Sequence, residues 1–335
     1  MKKTIIDLAK ELNLSPSTIS KVVNNKGKIS QETRDRVMEH VKASGYVAMS
    51  NARILSAKKS HTIGVVYADI SQAGFEHPYF SRILQSFKNK VESQGYDIVM
   101  IVSVLGRHEL SYLDWARNKK VDGILIVMGS INRANMIEIV NSDIPTISTD
   151  ILMDSLESVI CDDDMGARLA VEHAVSLGKK RIMMVSGPDT SRAFVDRMDA
   201  FRRHMGRQGM TCRDSDITIA DGFDFDAGYR AGIMIAQRDT RPDFIFVASD
   251  VIAFGVIRAL ESQGIRVPDD ISVLGYDDID FAQHFTPSLS TIAQDAEGIG
   301  NVAADRLLKM IESARRLPPV VTKLPVSLKV RESTG

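Results

Sequence analysis

From Thr62 onward the chain alternates short apolar runs with longer stretches whose apolar residues recur every three or four positions. Residues 62–68 (TIGVVYA) read as a buried strand. Residues 79–95 read as a helix, because Phe80, Ile83, Leu84, Phe87 and Val91 fall on one face at helical spacing. Strands are expected at 96–103, 123–128 and 144–150, with helices near 108–120 and 132–141. The rhythm then restarts. Strands at 159–161, 181–186, 217–220, 244–248 and 271–276 alternate with helices near 164–178, 194–209, 226–238 and 251–264. A strand that leads through a helix to the next strand builds a parallel sheet covered on both faces. Two such runs imply an α/β chain with two similar lobes, each a doubly wound parallel sheet. A last helix near 295–315 and a strand at 324–330 need a sheet to join, and such late elements cross back between lobes.

The first 45 residues have a different texture. In TIIDLAKELNLSPSTISKVVNN (4–25), Thr4 is placed as an N-cap with Asp7 at the capping-box position, and Leu8, Ala9 and Leu12 form an apolar face. Ser15 caps a second helix with Pro16 at its first position, where the missing N–H costs nothing. Ile19, Val22 and Val23 are its apolar face. Between the two, Asn13 tolerates a left-handed backbone and Leu14 can fill the corner. A third helix starts after Ser30, turns Val37, Met38 and Val41 inward and ends at Gly45. This is the plan of a helix-turn-helix, whose second helix enters the DNA major groove. The same pattern fits a helical hairpin that merely caps a larger domain.

Charge separates these readings. Residues 1–60 carry twelve Lys/Arg against five Asp/Glu, whereas the remainder carries thirty against thirty-eight. A basic head on an acidic body suggests that only the head meets phosphate, with Lys21, Lys26, Lys28, Arg34 and Arg36 available for it. Residues 46–60 (YVAMSNARILSAKKS) are small, polar and basic. They fit a linker, or a segment that becomes helical on DNA with Leu55 as an apolar wedge in the minor groove. At 335 residues the chain exceeds one core. Cys161 and Cys212 are too few for a disulfide framework and read as buried thiols in a reducing compartment. No signal peptide or membrane-length apolar run is present, so a soluble cytoplasmic protein is expected.

In doubly wound sheets, ligands bind beyond the carboxyl ends of the strands. Those ends present Asp69, Asp150, Ser186-Gly187, Ser249-Asp250 and Asp277-Asp278. Acids beside arginines and aromatic rings suit a polyhydroxylated or heterocyclic small molecule, while any single Asp also fits a helix N-cap. An enzyme is disfavoured. The chain has no G-x-x-x-x-G-K-[ST], H-E-x-x-H, G-x-S-x-G or Rossmann glycine triplet. Its histidines, at 40, 61, 77, 108, 173, 204 and 284, show no ligand spacing, so no catalytic residue, metal or cofactor is expected. A transport-type solute-binding protein would share the core but would need an export signal and no basic head.

Taken together, the chain resembles LacI/GalR-family transcriptional regulators along nearly its whole length. The resemblance rests on the head TIIDLAKELNLSPSTISKVVN, on ISQETRDRV and SGY, and on ARIL at 52–55 followed by HTIGVV. VDGILI, GKKRI, SGP, the pair Asp196-Arg197, ASD, GIRVPDDISVLGYDD and FTPSLSTI follow in family order. The Pro-Asn usual after the headpiece tyrosine is Ala48-Met49 here. The resemblance implies a small all-α headpiece (1–47), a hinge segment that is helical on DNA (48–60), and a periplasmic-binding-protein-like core. It divides that core into an N-lobe (61–160 with 293–321) and a C-lobe (161–292 with 322–335). It implies a homodimeric repressor on a near-palindromic double-stranded operator, controlled by a small-molecule effector, a sugar or sugar derivative. A corepressor of the nucleobase type is the alternative. The chain stops at Gly335 with no further heptads, which fits a dimer. Carried over by position, the DNA contacts are Thr4, Ser15, Pro16, Ser17, Thr18, Ser20, Lys21, Asn24, Ser30, Arg53 and Leu55. Tyr79, Phe80, Asp150, Arg197, Phe223, Ser249, Asp250 and Asp277 are the effector contacts. The loop 70–78 (ISQAGFEHP) brings Phe75 and His77 near the cleft mouth.

Overall fold

The computed structural model describes residues 4–23, 27–44, 59–67, 74–102, 104–105, 108–128, 133–313 and 318–335. The chain divides into two compact units, Met1–Ser60 and His61–Gly335. Of the expected hinge, 48–58 lies outside the described residues.

In the first unit, helices α1 (Ile5–Leu12), α2 (Pro16–Val23) and α3 (Gln31–Ser44) enclose Leu8, Ala9, Ile19, Val22 and Val37. The start of α1 is a reciprocal capping box. Asp7 N donates to Thr4 Oγ1 at 3.3 Å and Thr4 N donates to Asp7 Oδ2 at 2.9 Å. Asn13 closes α1 in the left-handed conformation (φ 53°), which sets the turn. Ser15 Oγ accepts from Thr18 N, and Ser30 Oγ accepts from Thr33 N. Met38 departs from expectation. It is 44% exposed, because Val37 alone on that turn of α3 reaches the small core. Arg36 also departs, since its guanidinium donates to the Leu12 carbonyl at 2.8 Å and braces the end of α1.

In the second unit, one sheet runs β13-β7-β6-β5-β1-β2 with every pair parallel. Its strands are β1 (Thr62–Tyr67), β2 (Asp97–Ile101), β5 (Gly123–Met128), β6 (Thr146–Ser148), β7 (Glu157–Cys161) and β13 (Val321–Leu324). Helices α4 (Pro78–Ser93), α5 (Tyr112–Lys119), α6 (Arg133–Val140) and α11 (Ala296–Glu312) cover it. Two short strands, β3 (Val104–Leu105) and β4 (His108–Glu109), pair antiparallel. Helix α5 therefore starts only after Ser111, whose Oγ caps it by accepting from Asp114 N.

The other sheet runs β14-β12-β11-β10-β8-β9. Its parallel strands are β8 (Ile182–Ser186), β9 (Ile217–Ile219), β10 (Phe244–Val247), β11 (Ser272–Asp277) and β12 (Ser290–Ala293), and β14 (Ser327–Lys329) pairs antiparallel to β12. Helices α7 (Asp163–Ser176), α8 (Arg192–Arg207), α9 (Phe225–Ala236) and α10 (Asp250–Ser262) flank it. Phe201, Phe244, Phe246 and Tyr276 are fully buried there.

The chain passes between lobes after β7, after β12 and between β13 and β14. The expected single strand at 324–330 is thus two strands on different sheets. Residues 322–324, assigned above to the C-lobe, pair with β7 in the first sheet through Thr322–Val159, Lys323–Ile160 and Leu324–Cys161. The first and third crossings run side by side, with Asp162 N donating to the Leu324 carbonyl at 2.9 Å.

Candidate functional site

On α2, Ile19 and Val22 face the headpiece core, which leaves Pro16, Ser17 and Lys21 exposed on the opposite face. Ser15 and Thr18 are tied to each other, Oγ to Oγ1, at 2.8 Å. Ser20 is half-buried, while Thr4 and Ser30 are exposed and serve as caps. Asn24, Arg53 and Leu55 lie outside the described residues.

Within the second unit a cleft of about 680 Å³ opens between the two lobes, in the size range of small-molecule sites. Its wall is assembled from chain segments that leave the sheets at their carboxyl ends. His77, Tyr79 and Phe80 come from the start of α4. Asp150 follows β6, and Asp163 opens α7 directly after β7. Arg192 and Arg197 project from the first turns of α8, and Phe223 precedes α9. Ser249 is the N-cap of α10, Asp277 ends β11 and Gln294 follows β12.

Arg197 is the most constrained of these groups. It is 5% exposed, its Nε donates to Asp163 Oδ1 at 2.8 Å, and its Nη1 donates to the Ala248 carbonyl at 2.7 Å. The guanidinium lies 3.7 Å from the centre of the Tyr276 ring, a close cation–π contact. Burial opposes its charge, but Asp163, Tyr276 and Asp277 outweigh burial and hold its pKa above the ordinary value. Arg192 bridges Asp163 at 3.4 Å and Asp196, and faces Asp150 at 3.9 Å.

Asp277 accepts from Gln294 Nε2 at 2.6 Å and from Ser249 Oγ at 3.2 Å. Burial pushes its carboxyl up to about 6, against the opposing influence of Arg197. Its backbone is left-handed (φ 122°), as is that of Asp278 (φ 55°), whose carboxylate accepts from Arg331 at 2.6 Å. Two consecutive non-glycine residues in this region store backbone strain, a feature that clusters at functional sites. Phe194 and Phe223 stack with centroids 5.4 Å apart and planes at 29°. Tyr79 donates to Cys161 Sγ at 3.9 Å, and burial pushes that thiol up to about 12, so it stays protonated and inert. Cys212 is only half-buried, unlike the buried thiol expected.

Seven of the eight expected effector contacts lie on this wall: Tyr79, Phe80, Asp150, Arg197, Phe223, Ser249 and Asp277. The structure does not bring Asp250 there. Its side chain is fully buried behind β11, where Oδ1 accepts from Thr291 Oγ1 at 2.6 Å and Oδ2 from Ile279 N at 3.0 Å. It ties α10 to the sheet. The structure adds Asp163, Arg192, Phe194 and Gln294. Asp163 had a legible signal, an acid directly after a strand end; Arg192 and Phe194 lie past the end of β8 in the first turn of α8, and Gln294 follows β12, a strand the sequence reading did not include. Among the described residues no group of acids, histidines and cysteines could hold a metal ion, and no helix is long and apolar enough to cross a membrane.

Residues 4–48 match the model of bacterial regulatory proteins of the lacI family, and residues 171–334 match that of the periplasmic binding protein-like domain. The HTH-type transcriptional regulator DegA of Bacillus subtilis is 30% identical over 341 residues, covering 100% of this chain and 99% of its own. The chain belongs to the LacI family. This regulator is also similar to a crystal structure of the Lac repressor dimer bound to operator and the anti-inducer ONPF, with a TM-score of 0.85, 26% identity, and coverage of 100% and 99%. A LacI-family regulator from Enterococcus faecium with bound ribose matches at TM-score 0.69 and 27% identity over 82% of this chain and 98% of its own. The protein is accordingly a DNA-binding transcriptional regulator with a ligand-binding type of core, and its relatives are regulators rather than enzymes.

Proposed function

We propose that this regulator is a cytoplasmic, homodimeric repressor of a near-palindromic operator, and that a small molecule in the inter-lobe cleft, a carbohydrate, sets its affinity for DNA. The observation that carries this reading is the cleft wall itself. Opposed lobes bring fixed polar groups, Arg197, Asp277 and Ser249, together with the Phe80 and Phe223 rings around one cleft. A polyol is recognised in this way, by rigid hydrogen-bonding groups on its hydroxyls and aromatic faces on its C–H surfaces.

In this reading Pro16, Ser17 and Lys21 on the exposed face of α2 meet base edges. Pro16 has neither an N–H nor a long reach, so Ser17 and Lys21 carry most of the readout. Thr4, Ser15, Thr18, Ser20, Asn24 and Ser30 position the headpiece on phosphates, while Arg53 and Leu55 engage the minor groove. The three crossings beside the cleft allow one lobe to turn on the other. Effector and operator then each favour one lobe arrangement, with a coupling of about 1–3 kcal/mol. The alliance of this chain with the operator-bound Lac repressor dimer and the ribose-bound relative supports dimer, operator and sugar alike.

The test is selection of operator sequences from a random pool by the full-length protein, followed by titration of sugars into the selected complex. Enrichment of a near-palindrome whose affinity shifts at least fivefold with one sugar is expected. No enriched sequence, with or without sugars, would remove the proposal.

A further inference from the structure

We infer that the cleft selects an uncharged, polyhydroxylated ligand, without phosphate or carboxylate, and that His77 donates or accepts one of the hydrogen bonds that recognise it. The inference rests on the effector reading of the cleft given above and narrows its ligand class.

The first observation is charge. Among the described residues Arg192 and Arg197 are the cations of the wall, and both are already engaged by carboxylates. Arg197 is closed by Asp163, and Arg192 by Asp163 and Asp196, with Asp150 facing it. Asp277 and the exposed Asp154 bring the wall to an excess of negative charge. An anionic ligand would meet Asp150, Asp163 and Asp277 in a partly desolvated space with no uncommitted cation to offset them. A phosphate site needs the reverse, a surplus of Arg or Lys beside its backbone donors, whereas the backbone N–H groups at the start of α8 (190–193) lie beside the carboxylates of Asp150, Asp163 and Asp196 that surround Arg192.

The second observation is the direction of the hydrogen bonds. Carboxylates only accept. Asp277 takes three donors, the Ser249 hydroxyl, the Gln294 amide and the Asp250 backbone N–H, on a group that can take about four, which leaves it an acceptor position towards the cleft. A wall rich in acceptors is matched by a ligand that donates repeatedly, as hydroxyls do and phosphate or carboxylate oxygens do not.

The third observation is His77. It is the N-cap residue of α4, yet its side chain makes no capping bond, and Pro78 occupies the first helical position. The ring packs on Phe80 at 5.0 Å between centroids and lines the cleft. Its Nδ1 is buried and has no hydrogen-bond partner among the described residues. Burial, and then Arg197, lower its pKa to about 4, so the ring is neutral at physiological pH and adds no cation to the wall. A buried, unpaired ring nitrogen in a cleft is costly unless a ligand supplies its partner. A hydroxyl can serve either tautomer of a neutral imidazole, because it both donates and accepts.

The experiment uses the full-length protein and isothermal titration. Ribose, glucose, galactose and cellobiose are each compared with a charged counterpart: ribose 5-phosphate, glucose 6-phosphate, galacturonate and cellobiose 6′-phosphate. Adenine and guanine are added as flat, uncharged controls. At least one neutral sugar is expected to bind, with its anionic counterpart at least tenfold weaker. His77→Leu is expected to weaken that sugar about tenfold, while His77→Asn, which places an amide near Nδ1, restores most of the affinity. Thermal melts without sugar check that both variants fold. If the phosphorylated or acidic sugars bind as well as the neutral ones, or a purine binds and no sugar does, the effector reading stands and this inference falls. Unchanged affinity in His77→Leu likewise overturns the role of His77. If no probe of any kind binds, the effector reading fails and takes this inference with it.

Discussion

Arg197 Nε and Asp163 Oδ1 meet at 2.8 Å, a buried ion pair that joins the second turn of α8 to the first residue of α7 on the cleft wall. Each partner is under 8% exposed, so neither charge is tolerable alone. Asp163→Leu is expected to destabilise the core by about 3–5 kcal/mol, because it leaves a buried guanidinium unpaired. Adding Arg197→Met removes that charge and is expected to recover most of the loss, since two apolar side chains can replace a buried pair. Ligand response does not recover in the double variant if Arg197 also contacts the effector. Urea denaturation of the three proteins, with ligand titration alongside, separates the structural share of this pair from its share in recognition.

The pH dependence of stability carries two opposing signs at the cleft. Burial raises Asp277 to about 6, so between its unfolded value near 3.8 and about 6 the native state holds a proton that the unfolded chain releases. That contribution is present at low pH and is lost as pH rises through this window. Asp250, raised by burial and by Asp277, acts in the same direction. His77 acts oppositely. Burial lowers it to about 4, so its contribution is present above 6.5 and is lost as pH falls towards 4. His77→Gln is therefore expected to make stability fall more steeply with rising pH between about 4.5 and 6. Asp277→Asn is expected to shift the slope the other way. Each change approaches about 1.4 kcal/mol per pH unit, the linkage of one proton. Urea midpoints at pH 4.5, 5.2 and 6 measure it, and a His77→Gln slope equal to that of the wild type would show that the imidazole is not held neutral.

Helices α9 and α10 approach through glycines. A Cβ on Gly228 would sit 2.1 Å from the Ile252 carbonyl oxygen, and one on Gly255 would sit 2.1 Å from that of Phe225. Both obstacles are backbone, so the helices would have to separate. Gly228→Ala is expected to cost about 1–3 kcal/mol, the usual range for overpacking. Gly206, in the last turn of α8, has nothing within 4 Å of its Cβ position. Gly206→Ala is expected to stabilise by about 0.4–1 kcal/mol through a less flexible unfolded chain. Opposite shifts in melting temperature for the two variants are the check.

The alternation of strands and helices was legible because each element of a parallel sheet is long enough to show its period. Strand β12 was not. Ser290, Thr291 and Ile292 are buried, but Ser290 and Thr291 are polar and the burial of their hydroxyls depends on partners far away in sequence, the Arg331 carbonyl and Thr334 for Ser290 and Asp250 for Thr291. The split of 321–329 into two strands on two sheets is likewise fixed by β7 and β12 rather than by its own residues. For the cleft, the rule that ligands gather at strand ends found Asp150, Ser249 and Asp277. It could not separate Asp250 from Ser249. They are adjacent in sequence, and only the position of Thr291 and the Ile279 N–H decides that Asp250 points into the sheet. Arg192 carried no strand-end signal, because it lies six residues past Ser186 on the first turn of α8, and Gln294 carried none because β12, which it follows, was not itself read as a strand.

Lys21 and Arg36 separate reading from scaffolding in the headpiece. Lys21 is exposed on α2 beside Ser17, on the face away from Ile19 and Val22, and is placed to reach a base edge or a phosphate. Arg36 is also largely exposed, but its guanidinium is spent on the Leu12 carbonyl at the end of α1. Lys21→Ala is expected to change the bases preferred at one or two positions of each half-site, at about 1–3 kcal/mol per lost base contact. If Lys21 instead pairs with phosphate, all sequences weaken together and the dependence of log K on log salt drops by about one per half-site. Arg36→Ala is expected to lower headpiece stability by about 1 kcal/mol, the worth of one hydrogen bond to a charged donor near the surface, with base preference unchanged. Selection from random sequence with each variant, and binding measured at two or more salt concentrations, decides among these outcomes. A preference unaltered by Lys21→Ala, together with an unaltered salt slope, would remove Lys21 from the interface.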